Sequence, residues 1–412
     1  MTAYRIGLCL ILSLARQVWG GEPQWLTDAR AREGKLGGVR EIHSSDGSFS
    51  VKLPVAIIGT IDKQQQGSYA IDFSVGSDAS ATCVIYPGPI DPAAVLRALS
   101  QETFSDGIEK EQGKIESRAY ETINAGQFGK TPFLALSWTY RVNDGKELRV
   151  GALKQYTAVK QGHGIYCSHI DLGYVHTFES VVRALIESLE FHNQTPTAQK
   201  PFYYELSVTI MQGFRVGYYL ITLEHDAAGD VKTVERSALL IPVTSDTLGA
   251  IDDFSVQLTH ADGTMISAAN AVSLNGALDA NLQLRPQKNG YWHVVGEFKS
   301  KKLDETIESL TAPCSWLCEA FQLRALLSTE PGAPRELSFA IWLTTDPIHF
   351  TESRISFVDR ASQINEAHLR GSTAGIDTQI TVDAMTGQVL KTVFPPGRNT
   401  MTMERIDAEG KY

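Results

Sequence analysis

Long apolar runs are missing from this 412-residue chain: the stretch Ile6 to Ala15 covers ten residues, where a membrane-spanning helix needs roughly twenty. Basic runs are missing too. Lys299-Ser-Lys301-Lys302 is the densest cluster, and 37 Lys and Arg against 47 Asp and Glu leave a net charge of −10. A surface of that sign repels polyphosphate, which argues against nucleic-acid binding. No His-Glu-x-x-His helix and no phosphate-cradling glycine loop with its lysine occurs. The nearest approach to a serine-hydrolase elbow, Gly371-Ser-Thr-Ala-Gly375, centres on Thr373 and reads as a hairpin loop. Cysteine is sparse, at five residues.

What is present begins with an address. Arg5 and the amino terminus, the Ile6–Ala15 run and the small-residue site Val18-Trp19-Gly20 read as a secretory signal peptide over residues 1–20. The expectation is an exported chain, periplasmic or extracellular, without a membrane span. Loss of Arg5 and Arg16 takes the formal charge from −10 to −12. Cys9 leaves with the leader and lacks the small flanking residues of a lipid-modified cysteine. Cys83, Cys167, Cys314 and Cys318 remain, two in each half, so the simplest of three connectivities is one bridge per half. Cys83 and Cys167 lie in β-like runs where a cross-strand link fits. Cys314-Ser-Trp-Leu-Cys318 has three residues between its sulfurs, one more than the thioredoxin-type redox pair, and reads as a structural link at a helix start.

The expected fold class is α+β in two domains. His192 to Pro201 is a polar stretch with two prolines and reads as a linker. Before it, over 40–191, an antiparallel sheet is flanked by two helices. One follows Asp91-Pro92 and carries Val95, Leu96, Leu99 and Phe104; the other follows Thr177 and carries Phe178, Val181, Val182, Leu185, Ile186 and Leu189. Phe133–Tyr140, Leu148–Leu153 and Gly164–Ile170 read as successive strands, with Asn143-Asp-Gly145 turning between the first two. Residues 202–412 are strand-rich. Turns at Ala228-Gly229-Asp230, Asp262-Gly263, Asn275-Gly276, Asn289-Gly290 and Thr386-Gly387 separate long alternating segments that curl into one large sheet. Ser315 to Ser328 is the only helix expected there, lying across the concave face or plugging an open end.

Two resemblances accompany this reading. Ser45-Asp-Gly-Ser-Phe-Ser-Val-Lys-Leu-Pro54, the Tyr166-Cys-Ser-His strand and the helix ending Ile186-Glu-Ser-Leu-Glu-Phe191 resemble the opening and close of PsbP-like and DcrB-like domains. That resemblance implies an α/β/α sandwich over 40–191 that binds or positions other proteins, with no catalytic residue to carry over. The Gly213–Tyr218 junction and the Asp383, Gly387, Leu390 hairpin resemble exported half-barrel proteins related to the LolA and LolB lipoprotein carriers. That one implies a long-stranded antiparallel β half-barrel over 202–412 with one covering helix, and a concavity able to hold acyl chains.

No constellation reads as catalytic, metal-binding or cofactor-binding. His163, Cys167, His169 and His176 are close in sequence, but convergence on a metal would need a special fold. Asp252-Asp253 point to opposite faces of a strand and cannot serve one substrate together, and they, like Asp226 and Asp230, read as solvated acids. Aromatic residues concentrate in the second half. Tyr204, Phe214, Tyr218, Trp292, Trp316, Phe321 and Trp342 are the candidate lining of an apolar groove. The expected function is a non-enzymatic envelope module that binds a lipid, a lipoprotein or a protein segment. The alternatives are a secreted hydrolase or metal-dependent enzyme with an unrecognised site, and a purely structural partner subunit.

Overall fold

A computed structural model describes residues 24–54, 59–64, 67–76, 79–192, 200–309, 311–328, 335–360, 365–394 and 400–412. The leader expected over 1–20 and residues 193–199 of the expected linker lie outside the described residues. Every strand pairing is antiparallel. Among the described residues, no helix is long and apolar enough to cross a membrane.

The first half opens with α1 (Gln24–Ala31) and a small sheet ordered β1 (Val39–His43), β2 (Phe49–Pro54), β10 (Glu190–Phe191). A seven-stranded sheet follows in the order β3 (Gly59–Lys63), β4 (Tyr69–Ser74), β5 (Ser80–Ile85), β9 (His163–Ile170), β8 (Leu148–Lys160), β7 (Thr131–Asn143), β6 (Lys114–Phe128). Alternation divides its residues cleanly. Phe133 and Ala135 of β7 face α3 (Val175–Ser188) and β2, in a core with Phe49, Val51, Phe178, Val181 and Leu185. Leu134, Leu136, Trp138 and Tyr140 face the opposite way, onto α2 (Pro92–Glu102) and the π-helical segment Thr103–Ile108.

This is a layered antiparallel sheet with a helix on each face, but it departs from the expected α/β/α sandwich. On one face α3 shares its layer with the β1-β2-β10 sheet. On the other, α2 shares its layer with strands of the second half. The expected strands lengthened: β7 and β8 have 13 residues each, and β6, unassigned from the sequence, has 15.

The second half is one 14-stranded sheet. An eight-strand meander comprises β11 (Tyr203–Met211), β12 (Phe214–His225), β13 (Val231–Pro242), β14 (Leu248–Thr259), β15 (Met265–Leu274), β16 (Ala277–Pro286), β17 (Trp292–Phe298) and β18 (Lys301–Ile307). A second meander comprises β19 (Glu336–Trp342), β20 (Phe350–Arg360), β21 (Glu366–Thr373), β22 (Ile376–Asp383), β23 (Val389–Val393) and β24 (Met401–Gly410), and β24 pairs with β11 to join the two. Each expected turn is a tight hairpin. At Asn275-Gly276 both residues are left-handed (φ 54° and 84°), as a two-residue hairpin loop requires.

The sheet curls without closing. Trp292 of β17 and Phe350 of β20, near opposite ends of the strand order, lie 6.1 Å apart edge to face, while β18 and β19 form the two edges. Helix α4 (Trp316–Ser328), in the connection between those edges, occupies the concave side. Leu317 packs with Tyr203, Leu223 and Val231 from β11–β13, whereas Leu323, Leu326 and Leu327 pack with Phe339, Ile355, Leu369 and Val382 from β19–β22. Its apolar residues are spread over more than one side, so it packs on both meanders while Arg324, Ala325 and Ser328 stay exposed. Its start is seated by the β14–β15 turn: Gly263 is left-handed (φ 85°), a Cβ there would come within 2.8 Å of the Cys318 nitrogen, and the Gly263 carbonyl accepts the Ser315 hydroxyl at 2.8 Å.

Candidate functional site

The sulfurs pair as expected, Cys83 with Cys167 between the adjacent strands β5 and β9, and Cys314 with Cys318 at the start of α4. The Gln322 amide donates to both sulfurs of the second bridge. The histidines do not converge. His163 stacks on Phe191, His169 is buried with Nδ1 on the Ser80 carbonyl, and His176 is exposed. Among the described residues, no group of three His, Cys, Asp or Glu side chains is placed to hold a metal ion.

The aromatic residues expected to line one groove scatter instead. Tyr204, Phe214 and Tyr218 lie on the face of β11–β12 that packs against the first half, where Tyr204 donates to the Gln127 amide oxygen and Phe214 meets Tyr120. Trp292 belongs to the core under β15–β18. Trp316 and Phe321 pack with Tyr203 and Tyr412 around α4. Trp342 alone of the seven borders the cavity of about 220 Å³ on the concave side. The strand period explains the scatter: a neighbouring residue on a strand serves the opposite face.

That same period carries polar groups inward. Val231, Thr233, Glu235 and Ser237 are the concave-facing set on β13, and their β14 counterparts are Asp253, Ser255 and Gln257. Glu235 and Asp253 border the cavity with Tyr219, Gln257 and Asn270, against a wall of Met265, Ala268, Trp342 and Leu343. The concavity is therefore acidic on one side and apolar on the other, unlike the apolar trough read from the sequence.

The hydrogen bonding inside is one-sided. Glu235 accepts the Tyr219 hydroxyl and, at 2.8 Å, the Gln257 amide. The Gln257 oxygen in turn accepts the Trp316 amide N–H at 2.9 Å. Asp253 accepts the Asn270 amide at 2.7 Å. Asn270 is 8% exposed, and its Oδ1 has no hydrogen-bond partner among the described residues; the same holds for the Thr233 hydroxyl. Burial pushes the Glu235 carboxyl up to about 7 against the pull of Tyr219, with Asp253 and Glu319 adding like-charge repulsion. Glu319, on α4, is likewise raised to about 7 by burial, and burial raises Asp253 and Glu205 as well. Glu205 is balanced by the Tyr203 hydroxyl and by Arg405, but the Glu319 carboxylate has no hydrogen bond or ion pair among the described residues.

Asp252 takes the other face of β14. Its two oxygens accept the Ala93 and Ala94 amides, both at 2.9 Å, capping α2 of the first half. Neither Asp252 nor Asp253 is the solvated acid expected. Asp226 is: its carboxylate accepts the Ala228 and Asp230 amides in a turn. The sequence reading missed Glu235, Asn270 and Glu319. The available signal was a carboxylate within the inward-facing set of a strand flanked by buried Val231 and Thr233, a position that an ordinary core leaves apolar.

No protein-family model and no curated protein matches the chain. Among solved structures, a β-barrel-like protein of the domain of unknown function DUF1849 from Brucella abortus is similar at 9% identity and a TM-score of 0.39, covering 52% of this chain and 99% of that one. A cyanobacterial PsbP (CyanoP) from Synechocystis sp. PCC 6803 is similar at 14% identity and a TM-score of 0.26, over 38% and 95% of the two chains. A DUF1089 family protein from Pseudomonas aeruginosa has 12% identity and a TM-score of 0.26, over 49% and 95%.

Proposed function

We propose that this chain is an exported, non-enzymatic binding module. Its second domain, residues 202–412, holds a small ligand in the cavity under β13–β15, and its first domain, residues 40–191, backs and orients that sheet. The observation that carries the reading is the cavity of about 220 Å³ on the concave side, bordered by Glu235, Asp253 and Asn270 and walled by Met265, Ala268 and Trp342. Two disulfides support export, since such bridges persist in oxidising compartments. The cavity volume lies below the roughly 300–1,000 Å³ of drug-sized sites, which favours a small molecule over a lipid, lipoprotein or protein segment.

The test is extraction and mass spectrometry of small molecules from full-length protein purified without denaturant. A single compound near one equivalent, lost when Asn270 is replaced by Leu, is the expected result. Unaltered retention in that variant, or no saturable ligand at all, would sink the reading. One observation favours a second reading: two raised carboxyl groups bordering a cavity are also the equipment of a glycoside hydrolase. Turnover of a chromogenic glycoside that Glu235→Gln abolishes would establish that reading instead.

A further inference from the structure

The two disulfides sit in different settings. Cys83 and Cys167 are fully buried on adjacent strands. Cys314 and Cys318 are half-buried, and Cys314 borders the cavity of about 220 Å³ on the concave side. The turn that carries this second bridge is also held without it. The Cys314 amide donates to the Ala340 carbonyl at 2.6 Å, and the Trp316 amide to the Gln257 side-chain oxygen at 2.9 Å. The Cys318 amide donates to the Ser315 hydroxyl at 3.0 Å, which itself donates to the Gly263 carbonyl at 2.8 Å. A bridge across only 4 positions adds little chain restriction to that frame. The two sulfurs therefore stay close whether or not they are bonded.

Nor are the sulfurs equivalent. Cys318 lies in the first turn of α4, where the helix dipole favours negative charge. Gln322, one turn further on, donates its amide to Cys318 Sγ at 3.3 Å and, less closely, to Cys314 Sγ at 3.6 Å. Glu319 and Glu235 oppose a thiolate here, but burial pushes both carboxyls up to about 7, so that opposition weakens below neutrality. We infer that Cys314–Cys318 is an exchangeable redox site for a low-molecular-weight thiol, which attacks Cys314 from the cavity and expels Cys318 as the thiolate. In that step a sulfur–sulfur bond forms between the incoming thiolate and Cys314. The Cys314–Cys318 bond breaks, and its electron pair stays on Cys318, the better leaving group. A second thiolate then attacks the incoming sulfur and releases Cys314. Two thiols have become one disulfide, and their two protons pass to Cys314 and Cys318, leaving a dithiol. A low-molecular-weight disulfide reverses both steps. This chemistry goes beyond the binding-module reading and holds whether or not the cavity retains a ligand.

The test is to treat unmodified, natively folded full-length protein with 2-mercaptoethanol, quench with acid and alkylating agent at intervals, and map the products by peptide mass spectrometry. Early samples should carry the mercaptoethanol adduct on Cys314 and a free, alkylated Cys318; late samples should carry two free thiols, with Cys83–Cys167 intact throughout. The reduced protein should keep its circular dichroism and re-form the bridge when 2-hydroxyethyl disulfide is added. Gln322→Leu should slow opening about tenfold, through loss of the amide that steadies the leaving sulfur. In Cys314→Ser, the pH profile of Cys318 alkylation should place its thiol below the ordinary value of about 8.5, a readout that a purely structural role would not move. An adduct on Cys318 instead of Cys314 would overturn the assignment of the attacked sulfur. Opening only in denaturant, or loss of the folded spectrum on reduction, would overturn the redox site and leave a structural clasp. The first measurements need no variant, so a substitution that fails to fold does not remove the test.

Discussion

Glu319 shows how a single enclosed carboxylate sets the pH response of the molecule. It, Glu235 and Asp252 are all pushed up to about 7 by burial. A carboxyl whose folded-state pKa lies above its unfolded value holds its proton more tightly in the fold. Its contribution to stability is therefore full below the unfolded value near 4.5 and is lost as pH rises through about 7. Groups lowered in the fold, such as Asp383, Asp407 and Glu33, contribute above their unfolded pKa and lose that contribution in acid. Thermal stability is thus expected to peak near pH 5 and decline toward pH 8, which a melting series across that range checks. Glu319→Gln, removing a carboxylate without partners, should stabilise the protein at pH 8 by on the order of 1–2 kcal/mol and have little effect at pH 5. A destabilised variant at pH 8 would mean that the carboxylate has a counter-charge. Legibility at this scale was uneven. The cysteine pairs were readable because their even division between the two halves leaves few choices. The carboxylates of the cavity were not, because Glu235 and Asp253 reach one another only through the β13–β14 register.

Elements were readable where their ends carry chemistry. Asp91-Pro92 marked the start of α2, and proline does hold its first helical position. The cap itself came from elsewhere: the Asp91 carboxylate accepts the Ser273 hydroxyl at 2.8 Å, and Asp252, 159 positions beyond Ala93, caps the helix amides instead. Asp252→Ala should destabilise the protein by about 1–3 kcal/mol, and Asp252→Asn by less, because the amide keeps one acceptor; equal losses in chemical denaturation would refute the capping role. The two bridges should differ in weight. Loop-closure entropy assigns about 4–5 kcal/mol to the Cys83–Cys167 bridge, which spans 84 positions, and about 2 kcal/mol to Cys314–Cys318, which spans 4. Denaturation of the Cys83→Ala/Cys167→Ala and Cys314→Ala/Cys318→Ala variants would test that order. Long strands such as β6 escaped notice because charged residues occupy their solvent face, and 15 residues interrupted by two register shifts lose a clean alternation.

At the scale of the whole molecule the two halves are coupled through one core. Leu206, Val208 and Tyr218 of the large sheet pack with Leu136, Trp138 and Tyr140 of the first half, and the Lys130–Asp407 ion pair closes at 2.7 Å beside them. Leu206, fully buried in that core, should cost about 2–5 kcal/mol as Leu206→Ala, and both halves should lose stability together. Calorimetry should therefore give one transition for the unmodified protein. Two transitions, with only the later half shifted by the variant, would show independent folding units. By itself the sequence determined what is local or periodic: the helix starts, the hairpin turns, the division of four cysteines into two pairs and a mostly antiparallel β architecture with few helices. Those follow from dihedral preferences and from alternation along a short stretch of chain. Which face of each strand became the inside, and so whether Tyr218 or Tyr219 looks into the cavity, was decided only by tertiary structure. A strand has two faces, and the choice between them is made by what another part of the chain, far away in sequence, needs to bury.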